Sequence, residues 1–231
     1  LNSVAYDDDI NLISATSSGL QRLIDECIIY ADTWRFKFNV KKTKCICFGK
    51  ARLKLQPKWT LGSAVVELSD TVDILGVHFD SKLNYKNHIK NRVQACRRNM
   101  FRLATIGMCY PGLNTNVKSH IWRTIGSPTM VYGMDSISLP KCGINGLKSD
   151  EGTILKRIMG FSKRSHHTVL YKALGIKSAE QIISNNTANL YFRSFQTDTP
   201  LLHLQSILLA DYMLTRKAIH GTMTDRLVKM N

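Results

Sequence analysis

The sequence predicts an α+β fold, with short strands in its first third and helices after it. Three patterns carry this. Apolar and polar residues alternate in several short runs before residue 80. Residues 84–105 repeat apolar side chains at steps of three and four. Beyond Gly112 the helical period dominates, broken by Gly and Pro.

The elements follow in chain order. Residues 1–14 set two apolar arms about a polar Asp7-Asp8-Asp9 tip, which predicts a β-hairpin. Ser17 or Ser18 can cap a helix over 17–34. Its stripe of Leu20, Leu23, Ile24, Cys27, Ile28, Ala31 and Trp34 faces a core. In FKFNVKKTKCICFG, Phe36, Phe38 and Val40 alternate, as do Cys45 and Cys47, which predicts strand, basic turn, strand. Residues 64–79 predict another strand pair, with Gly76 inside the second strand at a bulge or close backbone approach.

The helix over 84–105 is the clearest. Tyr85, Ile89, Val93, Cys96, Met100 and Leu103 line one face, and Lys86, Lys90, Arg92, Arg97, Arg98 and Arg102 occupy the rest. Further helices are predicted over Asn114–Gly126, Ser149–Met159, Ser178–Phe195 and Leu201–Ile219. Breaks fall at Gly126-Ser127-Pro128, Pro140 and Pro200.

The chain has 231 residues, of which 44% are hydrophobic and 21% charged, a globular balance with enough length for a core. Lys and Arg number 32 against 17 acids, a net charge of +15. Between Asp32 and Glu67 no acid occurs, but Arg35, Lys37, Lys41, Lys42, Lys44, Lys50, Arg52, Lys54 and Lys58 do. Between Asp80 and Asp135 no acid occurs either, and nine further bases fall there. A single Lys is ordinary solvated surface. Two long unbalanced windows favour a polyanionic partner, nucleic acid ahead of an anionic membrane.

No apolar run nears the roughly 20 residues of a membrane span. The six cysteines are scattered without a CxxC pair, so they are expected as buried free thiols in a reducing, intracellular setting rather than as zinc ligands. The chain opens at Leu1 within what reads as a structured element, so it is expected to be part of a longer product.

Asp7, Asp8 and Asp9 carry the chemistry. Two carboxylates at about 4 Å repel by about 1 kcal/mol in water and about 4 at an effective dielectric of 20. A divalent cation removes that penalty, and Mg²⁺ completes a shell of one or two carboxylates with water and phosphate oxygens. An exposed acidic turn is the plainer reading of three Asp residues alone. An acidic point preceded by Tyr6 in a strongly cationic chain favours nucleotidyl transfer, with metals on the acids and the bases on a polynucleotide backbone.

LNSVAYDDDINLIS resembles the Tyr-Ala-Asp-Asp hairpin of reverse transcriptases. FKFNVKKTKCICFGK is similar to the next palm motif of non-LTR (LINE-type) retrotransposon reverse transcriptases. VDILGVHFDSKLNYKNHI resembles their palm-to-thumb segment, and residues 150–195 look more loosely like the helical region beyond the thumb. The resemblance implies a truncated palm over 1–80, thumb helices over 81–135 and a helical region over 136–231.

It also implies roles. Asp8 and Asp9 would be the metal-binding acids, Asp8 the principal one, in a two-metal Mg²⁺ site. Tyr6 would support the nucleotide or primer end. Asn39, Lys42 and Thr43 match the following motif, with Lys42 near the incoming triphosphate as a conjectural proton donor to pyrophosphate. Leu75, Gly76 and Val77 match a strand that grips the primer. Lys86, Lys90, Arg97, Arg98 and Arg102 would track the template–primer duplex by its phosphates. The implied partners are an RNA template with a DNA primer, dNTPs and upstream palm and fingers segments. No membrane is implied, and the implied site of action is the nucleus.

Two departures stand out. Asp7 replaces the family's small residue and is expected to impair polymerisation, by raising neighbouring pKa values or misplacing a ligand. The family's third metal-binding Asp belongs to an earlier strand that these residues do not include, so they are expected to be inactive alone. The alternatives are a non-catalytic nucleic-acid-binding relic and a decayed element with no selected activity.

The remaining side chains read as structural. His166-His167 is expected in an exposed loop, His88 in capping or packing at a helix start, and His78 on a strand surface. Trp34 and Trp122 are expected in the core, and Trp59 is undecided between core and base stacking. No nucleophile triad is apparent.

Overall fold

The computed structural model describes residues 3–48, 58–137 and 139–196. They divide between Asn84 and Tyr85 into two units. Strands and helices are both present, as an α+β reading requires.

The first unit opens with β1 (Ser3–Tyr6) and β2 (Asp9–Leu12), an antiparallel hairpin in register from Ser3 opposite Leu12 to Tyr6 opposite Asp9. Helix α1 (Ser17–Thr33) is capped one residue earlier than expected, by Thr16, whose hydroxyl accepts the Gly19 N–H at 3.1 Å. Ile24 on α1 joins Cys45, Trp59 and Val66 in a small core, with Leu20, Ile28 and Cys47 packed against it.

Phe36, Phe38 and Val40 alternate but form no strand. The chain after α1 is irregular to residue 39 and turns over 40–42 before β3 (Lys44–Cys45). Alternation marks a strand only where a ladder partner exists, and these residues pair with none of the described strands. β3 pairs in parallel with β6 (Glu67–Leu68). β4 (Thr60–Leu61) and β5 (Ala64–Val65) make a short hairpin. Gln21 fastens β4 to α1 through both of its amide groups, each 2.9 Å from the Thr60 backbone. Trp59 is core, and its indole N–H donates to the Ser17 carbonyl at 3.0 Å.

β7 (Thr71–Ile74) and β8 (Val77–Asp80) form the last hairpin of this unit. Leu75 (φ 49°) and Gly76 (φ 76°) are its two turn residues, both left-handed, the pattern of a type I′ turn. Gly76 therefore lies outside the strand expected to contain it, because the turn needs the freedom that glycine supplies.

The second unit is helical. Helix α2 (Lys86–Thr105) buries Val93, Cys96 and Met100 from the predicted stripe. Helix α3 (Thr115–Ile121) runs through a π-turn (Trp122–Gly126) directly into α4 (Ser127–Val131). The predicted break at Gly126-Ser127-Pro128 is thus a widened turn. Pro128 falls in the first turn of α4, where its missing N–H is tolerated. Trp122 is wholly buried, as expected.

Helix α5 (Lys141–Met159) starts earlier than the predicted Ser149, and α6 (His167–Leu174) begins at a histidine expected in a loop. Helix α7 (Ala179–Gln196) matches its prediction closely. The helix predicted over Leu201–Ile219 lies outside the described residues. Cys45 and Cys96 are buried thiols, whereas Cys142 is exposed against expectation. Among the described residues no helix is long and apolar enough to cross a membrane.

Candidate metal and nucleic-acid site

The hairpin β1–β2 closes through Asp7 and Asp8, its two central turn residues. Asp7 holds φ at 54°, whereas Asp8 does not share this positive φ. Short polar Asp tolerates this conformation better than most residues. Asp9 is the first residue of β2, directly opposite Tyr6. All three acids and Tyr6 are exposed, so the carboxylates carry no burial penalty and face water. No three His, Cys, Asp or Glu side chains among the described residues are placed to hold a metal. The donor chemistry still fits Mg²⁺, whose shell takes one or two hard carboxylates and leaves room for water and phosphate oxygens.

Asn39, Lys42 and Thr43 are brought together. The Asn39 carbonyl accepts the N–H of Lys42, the N–H of Thr43 and the Thr43 hydroxyl, each at 3.0 Å. One tight turn thereby carries the motif and leaves Lys42 exposed. Leu75, Gly76 and Val77 are not a continuous strand. Two are turn residues and only Val77 belongs to β8, where it pairs with Ile74. The first and last hairpins are separate two-stranded pairs among the described residues.

In the second unit, the cations of α2 differ in their engagements. Lys86, Lys90, Arg98 and Arg102 are exposed. Arg97 pairs with Asp150 of α5, so any phosphate contact must compete with that carboxylate. Arg92 lies over the Tyr132 ring, 5.5 Å from its centre. His88 is buried as a packing residue, its Nε2 donating to the Tyr132 carbonyl at 3.0 Å. This bond ties the start of α2 to the end of α4. His78 is less open than expected and lies 2.7 Å from Asp73 across the β7–β8 pair.

Two features escaped sequence reasoning. Trp34, expected in the core, is 66% exposed at the end of α1 beside Tyr30, which is 55% exposed. Glu151 is wholly buried and accepts the Ala179 N–H with both carboxylate oxygens. The aromatic-basic alternation of residues 34–38 could have flagged the first. Nothing in sequence distinguishes Glu151 from a surface acid.

The described residues thus set an exposed acidic hairpin tip in a strongly cationic chain. Comparison with curated proteins finds relatives. The chain is similar to the RNA-directed DNA polymerase from mobile element jockey of Drosophila melanogaster, with 27% identity over 149 residues, 64% of this chain and 16% of that protein. It is also similar to the probable RNA-directed DNA polymerase from transposon BS of the same organism, with 21% identity over 191 residues, 79% of this chain and 21% of that protein. The chain is thus a homologue of polymerases from Drosophila mobile elements, and matches about a sixth to a fifth of their length. No family model matches it. No solved structure matches it.

Proposed function

We propose that this chain is the palm and thumb portion of a non-LTR retrotransposon reverse transcriptase, copying RNA into DNA from dNTPs. The observation that carries this is the Tyr6–Asp9 hairpin, with two adjacent carboxylates at an open turn, in a chain whose homologues are named RNA-directed DNA polymerases. The first unit would be palm, and α2 would be a thumb helix.

Asp8 and Asp9 would hold Mg²⁺, which supplies Lewis-acid stabilisation of phosphoryl transfer when bound. Tyr6, on the opposite strand, would flank the primer end or nucleotide. Lys42, fixed by the Asn39 turn, would present its ammonium to phosphate. Lys86, Lys90, Arg98 and Arg102 would hold the duplex backbone, with Arg97 contributing only on releasing Asp150. The non-catalytic relic is the second reading, favoured by Asp7, a third carboxylate at the turn where the family resembled carries a small residue.

The decisive measurement is primer extension on an RNA template by the intact polymerase carrying these residues. Asp8→Asn should reduce extension about a thousandfold, the scale of several kcal/mol of lost metal stabilisation. Equal extension by Asp8→Asn would refute the catalytic assignment. A wild-type enzyme that binds duplex but never extends it would establish the relic.

A further inference from the structure

Helix α1 ends in a fixed chain reversal. The Phe36 N–H donates to the Ala31 carbonyl at 3.0 Å and the Arg35 N–H to the Asp32 carbonyl at 3.3 Å, with Arg35 at φ 57°. This is the paired hydrogen-bond pattern of a Schellman cap, with arginine at the position that usually takes glycine. The cap fixes the backbone of Trp34, Arg35 and Phe36 together.

The reversal gathers aromatic rings. Tyr30 and Trp34, one helical turn apart, have centroids 6.1 Å apart. Phe36 meets Tyr30 edge-on at 6.0 Å, and Phe38 meets Phe36 at 5.2 Å. A contact between residues flanking the helix end commonly accompanies such a cap, which accounts for Tyr30 against Phe36. It does not account for Trp34, which leaves a large indole face in water. Arg35 and Lys37 alternate with the rings in sequence, Lys41 and Lys42 follow in the next turn, and all four are exposed. Asp32 is the nearest preceding acid, and no other follows until Glu67.

We propose that Trp34 and its neighbouring rings form a stacking platform for unpaired nucleotides, with Arg35 and Lys37 engaging the adjacent phosphates. Rings at the surface offer π-faces to bases, and interleaved cations follow the backbone. A duplex keeps its base faces stacked inside, so the occupant is a single strand. The cation–aromatic alternation matches that polyanion and gives no such match to an apolar protein segment. This platform goes beyond the duplex contact proposed for α2, and it rests on the reading that a polynucleotide is the partner.

The test uses the full 231-residue chain and a fluorescein-labelled single-stranded oligo(dT), with a blunt duplex as comparison. Trp59 and Trp122 are buried, so an indole quenched by a stacked base is Trp34. Oligo(dT) should quench tryptophan emission. Trp34→Phe should abolish that quench while keeping affinity, and Trp34→Ala should weaken binding about tenfold with an unchanged salt slope. Arg35→Gln should instead lower the slope of log K against log salt by about 0.7. Oligo(dT) binding without a quench, or unaltered by Trp34→Ala, overturns the proposal. So does shielding of Trp34 by a second copy, seen as self-association that Trp34→Ala removes. Loss of duplex binding with the oligo(dT) quench intact would count against the thumb reading and leave the platform standing.

Discussion

Glu151 on α5 and Ala179 at the start of α7 are joined by a buried hydrogen bond. The Ala179 N–H donates to Oε2 at 2.9 Å and to Oε1 at 3.1 Å. A carboxylate from one helix thus satisfies an otherwise orphaned N–H of another. Burial pushes the Glu151 pKa up, and hydrogen bonds from Ala179 and the Tyr171 hydroxyl pull it partly back. Burial, aided by the charge of Glu151, also raises the Cys96 thiol to about 12, so that group stays protonated at neutral pH.

A linkage prediction follows from that pair. The folded pKa of Glu151 lies above its unfolded value of 4.5. Its contribution is complete below the unfolded pKa and is lost as pH rises through the folded pKa. Glu151→Gln keeps an acceptor for Ala179 and removes the ionisation. The difference in Tm between Glu151→Gln and the native chain should therefore grow in favour of the variant from acid to neutral pH. Thermal unfolding followed by circular dichroism checks it, and a pH-independent difference would contradict it. Glu151→Ala should instead destabilise by about 2–4 kcal/mol, through a cavity and an unsatisfied N–H.

Gly126 sets the close approach in the π-turn. A Cβ there would stand 2.5 Å from Trp122 Cε3, 2.8 Å from its Cζ3 and 3.0 Å from Met100 Sδ. Both neighbours are wholly buried, so neither can swing into solvent. Gly126→Ala should cost about 1–3 kcal/mol despite its better helix propensity. Urea unfolding should show a lower midpoint at unchanged slope, and a stabilised variant would contradict the packing argument.

Much of this arrangement was legible in sequence where a pattern reports a local rule. The Asp7–Asp9 tip between apolar arms gave the first hairpin, and steps of three and four gave α1 and α2. Patterns failed where a partner decides the outcome. Phe36 and Phe38 alternate, but none of the described strands pairs with them; Phe36 closes a helix cap instead, and Phe38 packs on its ring. Trp34 sits on the apolar stripe by period, yet α1 stops at Thr33 and the indole falls past the end of the covered face. Leu75 takes a left-handed turn position that leucine composition does not advertise. Pro128 looked like a break because a π-turn is invisible to a 3.6-residue period. The acids, Tyr6 and the Asn39–Thr43 turn were identifiable by motif; the Arg97–Asp150 pair required the fold.

Asp7 combines a backbone need with a charge, and the two are separable. Asp7→Asn removes the carboxylate while keeping a residue suited to φ 54°. Asp7→Ala removes both and should cost roughly 1 kcal/mol of hairpin stability. If the extra carboxylate hinders polymerisation, Asp7→Asn and Asp7→Gly should both raise primer extension by the intact polymerase, with Asp7→Ala gaining less. No gain from any of the three would remove Asp7 as an obstacle to catalysis.

Arg35 poses the converse problem, a residue whose conformation favours its replacement. At φ 57° it closes the α1 cap where glycine fits without a Cβ penalty. Arg35→Gly should therefore stabilise the first unit by about 1 kcal/mol, provided the cap and not a side-chain contact dominates. Arg35→Ala keeps the penalty and loses the guanidinium, so it should not stabilise. Chemical unfolding of both variants separates the effects. A stabilised Arg35→Gly that also shows a smaller salt slope for oligo(dT) would mean that the arginine is kept at a cost to folding for the charge it places beside Trp34. A destabilised Arg35→Gly would show instead that its side chain supports the cap.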